Sequence, residues 1–281
     1  MDANSQMGFA LSHIANFSAA MVQMNLHRFW AETLREPRYA DPKRLLRYGF
    51  KVYSQHDEDG IIQEILHRIG TASRTFIEIG VETGVECNTA KLLIEGWRGL
   101  WIEANAQACK AIGSSFADFL NDRRLTLQQS FVTAENINPL FQNAGFKDEI
   151  DLLSIDIDFN DYWVWKAVKA VSPRIVVIEY NAGLHPPLSV TVPYQPNRGG
   201  DGTNYFGASL EALVRLGREK GYRIVGCNIS GSNAFFVRED LCADRFLEPA
   251  TAEEHYEPPR HFFSFLLAGP QAPKPGPYVG V

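Results

Sequence analysis

A short apolar run that stops at a glycine, Phe76-Ile77-Glu78-Ile79-Gly80, limits what this chain can fold into more than any other feature. A run of this length, apolar without alternation, suits a strand buried on both faces of a parallel sheet. The pattern then repeats. Gly99 to Glu103, Leu125 to Gln128, Ile150 to Asp158 and Arg174 to Tyr180 read as further strands. Asn88 to Glu95, Ala106 to Leu120 and Tyr162 to Val171 read as helices between them. After a long loop, Asn181 to Tyr205, comes a helix over Ala208 to Lys220. Two strands, Tyr222 to Cys227 and Ala234 to Arg238, close the pattern across a Gly231-Ser232-Asn233 turn. Alternating strands and helices predict an α/β fold, a mostly parallel sheet wound on both faces. The closing pair adds an antiparallel strand at one edge.

Two regions flank this core. Phe9, Ile14, Phe17, Met21, Met24 and Leu26 recur at helical spacing, predicting an N-terminal helical extension over residues 1–52. Its stripe packs on the domain, or serves as a homodimerisation arm or an active-site lid. A second helix, Glu58 to Ile69, is expected to start at Asp57 or Ser54 and to end at Gly70. The cofactor-binding domain is expected over 53–247, and a proline-rich tail over 248–281 wraps the surface. With 281 residues, 45% hydrophobic, the chain can bury a core of this size. A net charge of -6 without a basic stripe argues against a nucleic-acid partner and for a small-molecule acceptor. Four scattered cysteines give no zinc spacing and fit a reducing, cytoplasmic compartment. The first 24 residues read as neither signal peptide nor membrane span.

Three features carry chemistry. The first is the loop Glu78-Ile79-Gly80-Val81-Glu82-Thr83-Gly84. Glycines after a strand let a ligand lie against bare backbone beside a helix N-terminus. The loop lacks both G-x-G-x-x-G and a phosphate-binding Gly-Lys-Ser/Thr, and its acids would repel pyrophosphate while suiting a cation. The second is Glu103, a strand-end carboxylate placed to accept ribose hydroxyls. The third is a carboxylate pair on neighbouring strands, Asp156 and Glu179. Strands lie roughly 4.8 Å apart, so the two side chains are expected to meet. Asp158 and Asn181 follow each by two residues. Oxygen donors of this kind suit Mg²⁺. Asp158, Asn160 and Asp161 have a simpler reading as caps of the next helix. In the long loop, His185 is the candidate general base by its ordinary pKa.

Glu78-x-Gly80-x-x-x-Gly84, Glu103, the Asp156 strand and the ending from Gly221-Tyr222 to Asn233-Ala234-Phe235-Phe236-Val237-Arg238 together resemble class I S-adenosylmethionine-dependent methyltransferases. Ser54-Gln55-x-x-Glu58-Asp59-Gly60 adds a resemblance to their FkbM-like group, over Tyr53 to Asp240. The resemblance implies a seven-stranded Rossmann-like methyltransferase fold with S-adenosylmethionine as cofactor. It assigns Glu78, Gly80, Glu82, Gly84, Glu103 and Asp156 to that cofactor. Glu82 stands where the commonest form has glycine. Asp156 and Glu179 also look like the ligand pair of Mg²⁺-dependent O-methyltransferases acting on sugars and other natural products, with Asn181 as third ligand. Asp156 and His185 are then the catalytic candidates. A non-catalytic binding protein with this fold, or a nicotinamide oxidoreductase, are the alternatives.

Overall fold

The computed structural model describes residues 3–260 and 271–281, with side chains of the N-terminal helix described from residue 12 on, Gln23 excepted. By contacts the chain divides into two units, Met1–Pro42 and Lys43–Val281. The first contains α1, Ala3–Thr33. Of its expected stripe, Ile14, Phe17, Met21 and Met24 are exposed and Leu26 is half-buried, so these residues do not form one covered face. The Phe9 side chain lies outside the described residues.

The second unit opens with α2 (Glu58–Ile69) and β1 (Thr75–Ile79). There follow α3 (Ala90–Ile94), β2 (Arg98–Glu103), α4 (Ala106–Ser115), α5 (Ala117–Asn121) and β3 (Leu125–Gln129). Next come α6 (Ile137–Asn143), β4 (Asp148–Ile155), α7 (Asp161–Ala167) and β5 (Val171–Glu179). The remainder is β6 (Val190–Thr191), α8 (Leu210–Glu219), β7 (Tyr222–Cys227), β8 (Asn233–Arg238), α9 (Glu239–Cys242), α10 (Ala252–His255) and β9 (Val279–Gly280).

Seven strands form one sheet in the order β3-β2-β1-β4-β5-β8-β7. The pairings from β3 to β5 are parallel. β8 runs antiparallel and lies one strand in from the edge, between β5 and β7. Successive strand residues feed opposite cores, because side chains alternate across a sheet. Ile77, Leu153 and Phe236 enter one buried cluster, while Phe76, Leu152 and Phe235 enter the other. Helices cover both faces, so the strands read as unbroken apolar runs.

Local chemistry sets several boundaries. Gly70 closes α2 at φ 70°, its N–H donating to Leu66 O. Asp57 precedes α2 but does not cap it: its carboxylate accepts from Ile229 N. The entry is held instead by Asp59, whose Oδ2 accepts the N–H groups of Val52, Tyr53 and Ser54. The helix expected over Ala106 to Leu120 breaks at Phe116, which turns inward against Trp101. β4 stops at Ile155, and Asp158 has φ 62°, so Asp156 and Asp158 lie in a turn rather than alternating across a strand. The tail does more than wrap the surface, since β9 pairs antiparallel with β6 inside the long loop. No helix among the described residues is long and apolar enough to cross a membrane.

Candidate functional site

The carboxyl ends of β1 to β5 open onto one cavity of about 1120 Å³. Parallel strands all present their ends on the same side, and ligands in such sheets bind there. Gly80, Glu82, Glu103, Ser130, Phe131, Asp156, Asp158, Glu179 and Asn181 line it.

The β1 loop is shaped by two glycines with different tasks. Gly80 has φ 81°, and a Cβ there would lie 1.6 Å from Asp156 O. Only a bare backbone lets this loop cross the end of β4. Gly84, at φ 76°, faces the Trp101 ring in the core and does not line the cavity. Glu78 does not line it either. Its buried carboxylate accepts from Asn88 N, Thr89 N and Thr89 Oγ1, and so caps the start of α3. The two outer members of the expected cofactor set thus build the loop from behind. Glu103 lies at the end of β2, where it accepts from Glu82 N at 2.8 Å and Asn105 N at 2.7 Å. It fixes the glycine loop to the second strand. Glu82, exposed at the mouth of the cavity with φ 47°, has its carboxyl pushed up by partial desolvation and by the charges of Asp158 and Glu103.

Ile155 pairs with Ile178, so Asp156 and Glu179 leave the sheet side by side. The structure brings them together with Asp161: one oxygen from each lies within 4.8 Å of the others. Asp161 begins α7, where its Oδ1 accepts from Ile157 N while Oδ2 has no partner among the described residues. Glu179 Oε2 is likewise buried and unpartnered there. Burial, then repulsion from neighbouring carboxylates, Asp158 first for Asp156 and Asp156 first for Glu179, pushes both carboxyls well above the ordinary range. Asp161 is pushed up to about 7, chiefly by burial.

Asn181 lines the cavity but does not join this cluster. Its amide donates to Asn204 O and Phe206 O and its Oδ1 accepts from Gly183 N, which braces the long loop. His185 lies outside the cavity; it is exposed, with its ring against Tyr256.

Sequence reasoning missed three contributors. Asp161 read as a helix cap, although its place in the first turn after β4 brings it back to the strand end. Ser130 and Phe131 follow β3 at the same edge, and the strand-end rule applied to the third strand points to them. The third is the far wall, made by the loop and the tail. Asn160 holds the loop by donating to Gln195 O and Arg198 O. Arg198 lies over the Phe159 ring at 4.3 Å, and Tyr205 joins that ring to Tyr278. The Tyr205 hydroxyl donates to Pro277 O, Lys274 pairs with Asp201, and Gly276 lies flat on the Tyr205 ring. No local pattern marks residues so distant in sequence.

Neither the protein-family models nor the curated proteins contain a match to this chain. Solved structures are similar to it at low identity. An O-methyltransferase from Bacillus cereus in complex with SAH is 14% identical, covering 77% of this chain and 89% of that one, with a TM-score of 0.40. The glycopeptide N-methyltransferase MtfA complexed with S-adenosyl-L-homocysteine is 14% identical, with 73% and 98% covered and a TM-score of 0.42. An S-adenosylmethionine-dependent methyltransferase from Clostridium acetobutylicum ATCC 824 is 12% identical, with 75% and 98% covered and a TM-score of 0.40.

Proposed function

We propose that this chain is an S-adenosylmethionine-dependent methyltransferase acting on a hydroxyl of a small molecule such as a sugar or natural product. The observation that carries the reading is the cavity at the strand ends. It joins a glycine loop without phosphate-binding features, a strand-end glutamate and a cluster of buried carboxylates. Its acids attract a sulfonium and an ammonium group and repel a dinucleotide. Glu103 would accept the ribose hydroxyls with lone pairs left over from its two backbone bonds. Gly80 gives the cofactor access to backbone, Glu82 and Asp156 face its cationic end, and Phe131 offers an aromatic face to the base.

Methyl transfer needs the acceptor oxygen in line with the sulfonium carbon, so positioning supplies much of the rate. The loop and tail wall would position the acceptor against Glu179. A carboxylate whose proton affinity is raised is a stronger base than one in water, and Glu179 takes the role expected of His185. Asp156, Asp161 and Glu179 also fit a hard divalent cation, since two of their buried oxygens lack any other partner among the described residues. Asp161 replaces Asn181 in that set. When bound, Mg²⁺ would lower the pKa of the acceptor hydroxyl. Calorimetry of the full chain with S-adenosylhomocysteine and with NAD tests the reading. One-to-one binding of the first and none of the second is expected; the reverse would overturn it.

A further inference from the structure

The first unit carries an apolar seam of its own. Ile14, Phe17, Met21 and Met24 follow one another by three, four and three residues, the spacing of core positions in a coiled coil. On an α-helix these four positions fall within one narrow stripe. Their exposures are 62%, 69%, 40% and 64%. Val22, Leu26, Phe29 and Trp30 fall on another side of the helix and are half-buried. In sequence, the same spacing runs on toward the N-terminus at Ala10 and Met7. α1 spans 31 residues, about 46 Å, which gives the seam a straight support.

We propose that this seam is the contact through which a second copy of the chain binds, with α1 pairing to its two-fold mate. Three observations choose that partner. The spacing is self-complementary, because knobs at three-four intervals fit the holes of an identical helix. From Ala3 to His27 the helix has no Asp, Glu, Lys or Arg, so two copies meet without like-charge repulsion. An anionic lipid surface would find no cation along the seam, and Arg28 just beyond it is paired with Glu32. The area is also adequate. Aromatic side chains such as Phe17 bring roughly 150–250 Å² each and aliphatic ones less, so the eight side chains, four per copy at these exposures, cover up to roughly 1000 Å². That is the size at which a specific interface begins. Exposed apolar area of this kind otherwise draws unspecific association.

The test is the mass of the full-length protein in solution, by sedimentation velocity from 1 to 100 µM, with and without Phe17→Asp plus Met21→Asp. The wild type is expected to be a dimer at the upper concentrations. The double variant should be monomeric, its dissociation constant raised at least about 100-fold by charges buried in an apolar seam. Asn16→Asp, exposed but off the seam, should stay dimeric. Equal thermal melting of the three proteins shows that the variants are folded, and if the double variant is not, Phe17→Ser replaces it. All four native cysteines are free and buried. A Phe17→Cys variant should therefore cross-link through the new thiol alone, as a chain dimer on denaturing gels. A wild type that is monomeric throughout, or a folded seam variant that still dimerises, overturns the proposal. A monomer that floats with vesicles containing phosphatidylserine would assign the face to lipid and overturn it equally.

Discussion

The two halves of the cavity floor treat their carboxylates in opposite ways. On the β1–β2 half, Glu103 at the cavity and Glu78 behind the loop each accept two backbone N–H groups, and each ties two segments together. On the β4–β5 half, Asp156, Asp161 and Glu179 crowd one another, and two buried oxygens have no partner among the described residues. Buried polar groups are rarely left in that state, and a cluster of raised carboxyls is a mark of function more often than of packing. The contrast teaches that the first half was built to hold a shape. The second holds protons, or a cation, on behalf of a reaction.

The largest effect should come from the unfinished half. Glu179→Gln should lower methyl transfer by on the order of 10²–10⁴-fold, the range of a lost general base. S-adenosylhomocysteine affinity should stay unchanged. Label transferred from methyl-tritiated S-adenosylmethionine to the small-molecule fraction of a cell extract reads the first, and calorimetry the second. Loss of both would erase the distinction between the halves.

Glu103→Ala should do the reverse. It removes a charged acceptor, costing about 1.5–3 kcal/mol of cofactor binding. The measured dissociation constant should rise roughly 10- to 100-fold.

The third prediction concerns pH. Asp161 stands at about 7 in the fold against about 3.9 in an unfolded chain. A carboxyl raised in this way favours the fold when protonated, so its contribution is full below about pH 4 and is lost as pH climbs to about 7. In chelator, the melting temperature should fall between pH 5 and pH 8, by roughly 2–4 °C for each kcal/mol. Saturating Mg²⁺ or Mn²⁺ should flatten that slope, and label transfer lost in chelator should return with either ion. Indifference to both would take the cation out of the account and leave Glu179 as base alone.

The smallest effect should be at His185. His185→Ala should leave methyl transfer within about twofold, as for a surface change away from the cavity. A large loss would mean that the loop closes differently in the working enzyme.

How much of this was legible in the sequence follows the same division. Strands such as Phe76 to Ile79 and Arg174 to Tyr180 announce themselves, because burial on both faces leaves an unbroken apolar run. Asp156 and Glu179 were legible as neighbours once their strands were. Glu78 and Gly84 were misplaced because the motif fixes where the loop is, not which side chains turn outward; Thr89 and Trp101 decide that. Asn181 and His185 were read as chemistry because they follow a strand end, yet backbone carbonyls in the loop claim the first and Tyr256 the second. Asp161 was hidden by its double nature, a helix-start residue whose free oxygen points back. The long loop was legible as a segment carrying chemistry, but the wall it builds with the tail was not, since that depends on β9 finding β6 some ninety residues away.

A co-crystal structure with S-adenosylhomocysteine and Mg²⁺ decides between these assignments. The ribose hydroxyls are expected on Glu103, the sulfur on the Asp156 side of Gly80, and the cation among Asp156, Asp161 and Glu179. A nucleoside bound elsewhere, or a cavity that refuses the ligand at millimolar concentration, would contradict them.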